Sequence, residues 1–169
     1  PYIWIENDRF VGECTTTKAF PREGPAHADF EAMDVLPTLA KKAVAFVAEQ
    51  AKTEQPFFLY LPLVSPHTPI VPSKRFQGKS KLSRYGDFVM ETDWAIGEVV
   101  KAVERAGIAG NTLIIVTADN GCSPSARNGL MPERAYFDIQ FKMGSEEAED
   151  PTKHYSSDIY RGHKADIYE

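Results

Sequence analysis

Two apolar runs and the helix between them decide the fold of this chain: FFLYLPL at residues 57–63, YGDFVMETDWAIGEVVKAVERAG at 85–107, and TLIIVTA at 112–118. An almost unbroken apolar run is typical of a strand covered on both faces, as in a parallel sheet. Strand, helix and strand in this order predict a βαβ unit with a right-handed crossover. We therefore expect an α/β fold, with helices flanking a mostly parallel sheet.

The helix between the two runs has the clearest signature. Apolar residues recur with the helical period over residues 84–106, which predicts one buried stripe. Gly107 followed by Ile108 is typical of a helix that ends in a left-handed residue. Asp93 falls on the stripe and is predicted to be an exposed or capped carboxylate at its edge. The residues assigned to the stripe are Val89, Ile96, Val100 and Val103.

The outer segments are simpler to interpret. Residues 34–51 predict an amphipathic helix with Asp34 as its cap, buried through Leu36, Ala40, Ala43 and Val47. Residues 2–12 predict a short hairpin around an Asn-Asp turn. Residues 13–30 show no period and are predicted to be loop, whereas 159–169 predict another short strand.

Composition and charge narrow the class of protein. The chain has 169 residues, of which 43% are hydrophobic and 25% charged, as in an ordinary soluble globular domain. Its net charge of −5 argues against a nucleic-acid partner, because nucleic-acid binders carry basic surfaces. No apolar run approaches the ~18 residues that a membrane span requires. Cys14 and Cys122 form one disulfide or remain two thiols, so they leave the redox compartment open.

Polar residues follow both predicted buried strands. His67 lies in a Ser-Pro-His-Thr-Pro loop after the first strand, and Asp119 and Asn120 directly follow the second. Parallel strands end at a common edge of the sheet, where open α/β sheets bind their ligands. We therefore expect these three side chains to be neighbours in space.

Each candidate residue also has a plainer interpretation. Asp119 and Asn120 carry oxygen ligands suited to Ca²⁺ or Mg²⁺, but Asp-Asn-Gly is also ordinary turn chemistry. His67 suits a general acid or an anion-binding imidazole, or is an exposed loop histidine. Lys164 can neutralise a bound oxyanion or be an ordinary surface residue. The residues alone leave these alternatives open.

In combination these segments resemble a known family. The run PFFLYLPLVSPHTPIVPS, the helix after it, NTLIIVTADNG, and finally RGHKADIYE resemble the type I sulfatases, or arylsulfatases, of the alkaline-phosphatase superfamily. The resemblance covers nearly the whole chain, and the ordered combination is far more specific than any one motif. It implies an α/β fold and hydrolysis of sulfate esters, on a sulfated small molecule or a glycan. A periplasmic, secreted or lysosomal location is also implied.

The resemblance assigns roles position by position. His67 matches the histidine that contacts the sulfate and helps to protonate the leaving oxygen. Asp119 and Asn120 match ligands of the active-site cation, usually Ca²⁺. Lys164 matches the lysine that neutralises the sulfate. All four would stabilise an oxyanion whose charge redistributes during the reaction.

Several parts of the family pattern are absent from these residues. The paired aspartates of the metal shell and the segment with a second catalytic lysine and histidine are missing. The family nucleophile is a formylglycine made from Cys or Ser in a C/S-x-P-x-R motif. Cys122 has Pro124 at the right offset, but Arg127 falls one position late. The chain therefore contains no formylglycine and no nucleophile.

These departures predict that residues 1–169 are a single, partial sulfatase catalytic domain, inactive alone. Exposed apolar faces of such a fragment predict a homodimer or limited solubility. One alternative is a phosphoesterase or phosphotransferase of the same superfamily. The other is a non-catalytic binding fragment that keeps the fold.

Overall fold

The computed structural model describes residues 1–20 and 22–121. Within them, two antiparallel hairpins are followed by two long helices. The strands are β1 (Ile5–Glu6), β2 (Arg9–Phe10), β3 (Thr16–Ala19) and β4 (Glu23–Ala26), and the helices are α1 (Val35–Gln50) and α2 (Arg84–Arg105). One-turn 3₁₀ helices lie at Ala32–Asp34 and Ala109–Asn111. The strand predicted at 159–169 lies outside the described residues.

The first hairpin confirms the prediction for residues 2–12. β1 pairs antiparallel with β2, and Asn7 in the turn has a φ of 57°, which asparagine tolerates well. Lys42 Nζ on α1 lies 2.6 Å from Glu6 Oε1 and so ties the hairpin to the helix. This hydrogen bond, with the charge of Lys42, lowers the pKa of Glu6. The pair therefore stabilises the fold at neutral pH, and that contribution is lost in acid as the carboxylate is protonated.

The second hairpin shows that the loop predicted over residues 13–30 was wrong. β3 pairs antiparallel with β4 in a register that sets Thr16 opposite Ala26. Most β3 side chains are exposed, so the sequence carries no polar–apolar alternation to reveal the strand. Tyr2 closes the unit: its backbone N–H donates to Pro25, and its ring meets Phe20 edge-on at 5.3 Å.

The first helix lies where the sequence predicted it. α1 buries Leu36, Ala40, Ala43 and Val47, the predicted face. Asp34 stands at the N-cap position but makes no side-chain cap hydrogen bond, so the predicted cap is wrong. The backbone at Asp34 is already helical because the preceding 3₁₀ turn runs directly into α1.

The second helix has both of its ends fixed by sequence. At its start, Ser83 Oγ accepts the Gly86 N–H at 3.1 Å. At its end, Gly107 has a φ of +72° and donates to Glu104, while Ile108 donates to Val103. This is a Schellman motif, and Ile108 packs with Val103 in the core. The predicted helix end is confirmed.

The buried face of α2 differs from the predicted stripe. Phe88, Ala95, Ala102 and Val103 are buried, whereas Val89 is 41% exposed. The face also contains two carboxylates, Asp87 and Glu91. The sequence pattern assumes that every charged residue faces solvent. Because Asp87 and Glu91 are buried, the true buried face is rotated away from the predicted stripe, and the prediction for Val89 was wrong. Asp93 is exposed, as predicted.

The two helices pack against each other around two apolar clusters. Each fully buried aliphatic or aromatic side chain contributes about 1.5–3 kcal/mol relative to an exposed one. The larger cluster contains Leu36, Ala40, Ile70, Tyr85, Phe88 and Ala95. The smaller one contains Val47, Ala102 and Val103, with Phe57, Leu59 and Ile108 packed against it. None of the helices within residues 1–20 and 22–121 is long and apolar enough to cross a membrane.

The two predicted buried strands, 57–63 and 112–118, have no regular secondary structure and no strand pairing in the described part of the chain. Along 57–63, Phe57 and Leu59 pack on the helices, while Phe58 is 86% exposed. In 112–118, Leu113 is 85% exposed. The only sheets among these residues are the two antiparallel pairs, so the parallel sheet is not formed here. A strand that is apolar on both faces needs cover on both. The helices cover one face of 57–63, whereas the apolar side chains of 112–118 are exposed.

Two glycines, one inside α2 and one just after its end, give a stability test with opposite signs. Gly107→Ala is expected to destabilise the protein by about 1 kcal/mol, because alanine is strained in the left-handed conformation. Gly97→Ala, inside the helix, is expected to stabilise it by about 0.5–1 kcal/mol. Among residues 1–20 and 22–121, no atom beyond the local backbone and chain neighbours lies within 4 Å of a Cβ added at either position, so packing does not obscure the backbone effect. Equal shifts in urea midpoint for both variants would contradict the assignment.

Candidate active site

The loop that carries His67 is anchored by buried apolar residues. Ile70 is buried in the larger cluster, Leu63 and Val71 pack on that cluster, and the Pro72 side chain is fully buried. His67 itself is exposed. Prolines in this stretch restrict the backbone dihedral angles, so the imidazole is attached to a rigid segment of the chain.

A hydrogen bond defines the tautomer of His67. Its Nδ1 lies 2.8 Å from the Thr68 carbonyl oxygen. A carbonyl oxygen can only accept, so Nδ1 carries the hydrogen and neutral imidazole has its lone pair on Nε2. When the ring is protonated, Nε2 is the atom that can pass a proton on. The local geometry thus equips His67 to act as a general acid through Nε2.

Helix α2 holds the segments after His67 through buried carboxylates. Glu91 Oε2 accepts the Ser73 N–H at 2.8 Å. One turn earlier, Asp87 accepts the N–H groups of Gly78 at 2.6 Å and Ser80 at 2.8 Å. Backbone donors that a loop would otherwise bury without partners are therefore satisfied by the helix.

The sequence interpretation missed Asp87 and Glu91. A signal was present: the two carboxylates are four residues apart and share a helix face with Phe88 and Ala95. Buried carboxylates are rare unless they are hydrogen-bonded. An acidic pair on an apolar face therefore indicates that backbone N–H groups or a cation lie opposite, and here they are N–H groups.

Asp119 and Asn120 directly follow the second apolar run, 112–118, and both are exposed. Their carboxylate and amide oxygens are chemically suited to Ca²⁺, which takes about six to eight oxygen ligands. No group of three or more His, Cys, Asp or Glu side chains that could hold a metal occurs within residues 1–20 and 22–121. The donor set thus fits part of a calcium shell.

The positions predicted for Asp119 and Asn120 beside His67, and for Lys164, remain predictions. The sheet edge expected to bring His67 beside Asp119 and Asn120 is not formed among the described residues. Lys164 and Cys122 lie outside the described part of the chain.

Comparisons with known proteins agree on one family. A family model described as Sulfatase matches residues 14–159, which is most of the chain. Over 136 residues the chain is 35% identical to the N-acetylgalactosamine-6-O-sulfatase of Bacteroides thetaiotaomicron, covering 80% of this chain and 23% of that protein. Over 83 residues it is 42% identical to human arylsulfatase H, covering 49% of this chain and 14% of that protein.

A solved structure is also similar to this chain. It comes from work on the metabolism of multiple glycosaminoglycans by Bacteroides thetaiotaomicron, and it aligns with a TM-score of 0.51 and 37% identity. The alignment covers 54% of this chain and 18% of that one. The chain spans less than a quarter of the length of the two curated relatives above. With the family model matching well over half of its residues, the chain belongs to the sulfatase family.

Proposed function

We propose that residues 1–169 form part of a sulfatase catalytic domain that hydrolyses sulfate esters and carry one edge of its active site. The observation that carries the proposal is the family match over residues 14–159, which includes His67, Asp119 and Asn120. Relatives named as N-acetylgalactosamine-6-sulfatases favour a sulfated glycan as substrate, and arylsulfatase relatives favour a smaller sulfate ester. The resemblance favours a periplasmic, secreted or lysosomal location.

In this proposal the two apolar runs, 57–63 and 112–118, become neighbouring parallel strands of the complete domain. Their exposed apolar side chains supply the reason, since Phe58, Leu113 and Ile115 lack cover among the described residues. Pairing of 57–63 with 112–118 places His67 and Asp119 at the same edge of the sheet. The parallel α/β core predicted from sequence would then be formed within the larger domain.

His67 has the clearest chemical role. Cleavage of the sulfate ester leaves negative charge on the departing oxygen, and a proton placed there lowers the barrier. Nδ1 is held by the Thr68 carbonyl, so the protonated ring donates through Nε2 to that oxygen. The same N–H binds a sulfate oxygen before reaction, as a charge-assisted hydrogen bond.

The cation and Lys164 would balance the charge of the substrate. Asp119 and Asn120 would hold Ca²⁺, which supplies a positive charge next to the sulfate oxygens when bound. Lys164, five residues beyond the family match, would add an ammonium charge to the same group. Because no nucleophile motif occurs in these residues, the attacking formylglycine would come from another part of the domain.

An assay on the product of the complete reading frame tests the function. We expect hydrolysis of an aryl sulfate or of N-acetylgalactosamine 6-sulfate, much slower turnover of the matched phosphate esters, and loss of activity with a calcium chelator. A preference for the phosphate esters would favour a phosphoesterase or phosphotransferase. Binding of sulfated sugars with no turnover of any ester would favour a non-catalytic module.

We also propose that residues 1–169, produced alone, form a homodimer. A largely apolar groove between α1 and residues 57–63 is lined by Leu39, Phe46, Leu59 and Leu61, with Lys42 and Glu49 also in its lining. Phe58 is also exposed. Exposed apolar patches of this kind associate in water. Light scattering is expected to give twice the mass of 18.9 kDa or larger species. A stable monomer at high concentration would exclude the homodimer.

A further inference from the structure

Two consecutive residues of α2 fasten the His67 loop at both of its ends. Thr92 Oγ1 lies 2.8 Å from Ser65 Oγ, two residues before His67. Glu91 Oε2 accepts the Ser73 N–H at 2.8 Å, six residues after it. We call this pair, Glu91 and Thr92, the clasp.

The Thr92 contact has a defined direction. Thr92 Oγ1 also lies 2.8 Å from the Phe88 carbonyl oxygen, which can only accept. A hydroxyl has one hydrogen, so when Thr92 donates to Phe88 the Ser65 hydroxyl donates to Thr92. The Ser65 side chain is then hydrogen-bonded to α2.

The Glu91 contact is buried and only half satisfied. Glu91 is 0% exposed, and its Oε1 has no hydrogen-bond partner within residues 1–20 and 22–121. Burying a carboxylate for a single backbone hydrogen bond costs more than an apolar side chain of similar volume would. A glutamine at this position would keep the acceptor for Ser73 without the charge.

We propose that Glu91 and Thr92 are positioning residues that hold the His67 imidazole in place for its reaction with the sulfate ester. This inference rests on the proposed function. Between Ser65 and Ser73 the backbone is rich in proline, and His67 is the one exposed residue. Hydrogen bonds that hold Ser65 and Ser73 therefore also restrict the position of the His67 imidazole. A displacement of about 1 Å at a reacting group costs up to about 100-fold in rate.

The test uses the complete protein and the variants Thr92→Val and Thr92→Ser. Valine keeps the shape of threonine and removes the hydroxyl, so we expect kcat to fall about 10- to 100-fold with less change in KM. Serine restores the hydroxyl and should recover most of the lost kcat. Glu91→Gln should retain most of kcat, whereas Glu91→Ala should lose it as Thr92→Val does.

Two further measurements separate positioning from general destabilisation. Val47→Ala removes buried volume from the smaller cluster without touching the loop, so it should lower the melting temperature and leave kcat of the folded enzyme unchanged. Amide hydrogen exchange over residues 65–73 should accelerate at least tenfold in Thr92→Val and Glu91→Ala but not in Val47→Ala.

Unchanged kcat in Thr92→Val and Glu91→Ala would overturn the clasp while leaving the sulfatase function intact. Unchanged exchange over 65–73 would overturn it as well, and this readout does not depend on activity. If the unmodified protein hydrolysed no sulfate ester, the proposed function would fail, and the positioning role for catalysis would fail with it. Faster exchange together with a kcat loss rescued by serine would support the proposal.

Discussion

Replacing His67 by alanine in the complete protein is expected to lower kcat for a sulfate ester by roughly 10²–10⁴-fold, the usual contribution of a positioned general acid. The ring is exposed to solvent, and its Nδ1 donates to the neighbouring Thr68 carbonyl. Its removal should therefore change stability little. The loss should also be larger for esters with poor leaving groups, because these depend most on protonation of the departing oxygen.

A matched control is available at His27. This histidine is not part of the proposed site. Its Nδ1 accepts a hydrogen bond from the Asp29 N–H at 3.2 Å. His27→Ala should leave kcat unchanged. Wild-type kcat in His67→Ala, or equal losses in both variants, would contradict the role assigned to His67.

Replacing Leu36 by alanine is expected to destabilise the protein by about 2–5 kcal/mol, the range for removing a buried leucine side chain. Leu36 is 1% exposed and packs in the larger cluster with Ile70, Tyr85 and Phe88. This cluster joins α1, α2 and the segment after His67. Urea unfolding followed by circular dichroism, at one fixed protein concentration, measures the change.

The control for Leu36 also tests the corrected stripe of α2. Val89→Ala removes a side chain that is 41% exposed, so the free energy of unfolding should change by less than about 0.5 kcal/mol. A Val89→Ala cost as large as that of Leu36→Ala would show that Val89 belongs to the core, as the sequence pattern suggested.

Local chemistry made several elements readable from the sequence. The buried face of α1 follows from apolar spacing. The end of α2 follows from Gly107 and Ile108, because a left-handed residue and its hydrophobic neighbour are determined within a few residues. The ordered motifs around His67 and Asp119 also pointed to the family that the comparisons show. Their roles in the site remain proposals.

Other features depend on contacts that lie far apart in the chain. The cap predicted at Asp34 gave way to a 3₁₀ turn, and the hairpin of β3 and β4 carries no alternation because its side chains are mostly exposed. Without polar–apolar alternation, the hydrophobic pattern of the sequence cannot locate these strands. The parallel sheet is a stronger case, since an apolar run describes what a strand would bury but not which strand covers it.

The sequence by itself determined the two helices, the C-terminal end of α2 and the family, because periodicity, the glycine cap and ordered motifs are properties of neighbouring residues. Only the tertiary structure decided that Asp87 and Glu91 are buried. From their charges alone, both side chains would be predicted to face solvent. In the structure they accept hydrogen bonds from the backbone N–H groups of Ser73, Gly78 and Ser80. A buried carboxylate depends on hydrogen-bond donors from another segment, and the position of those donors is set by the fold.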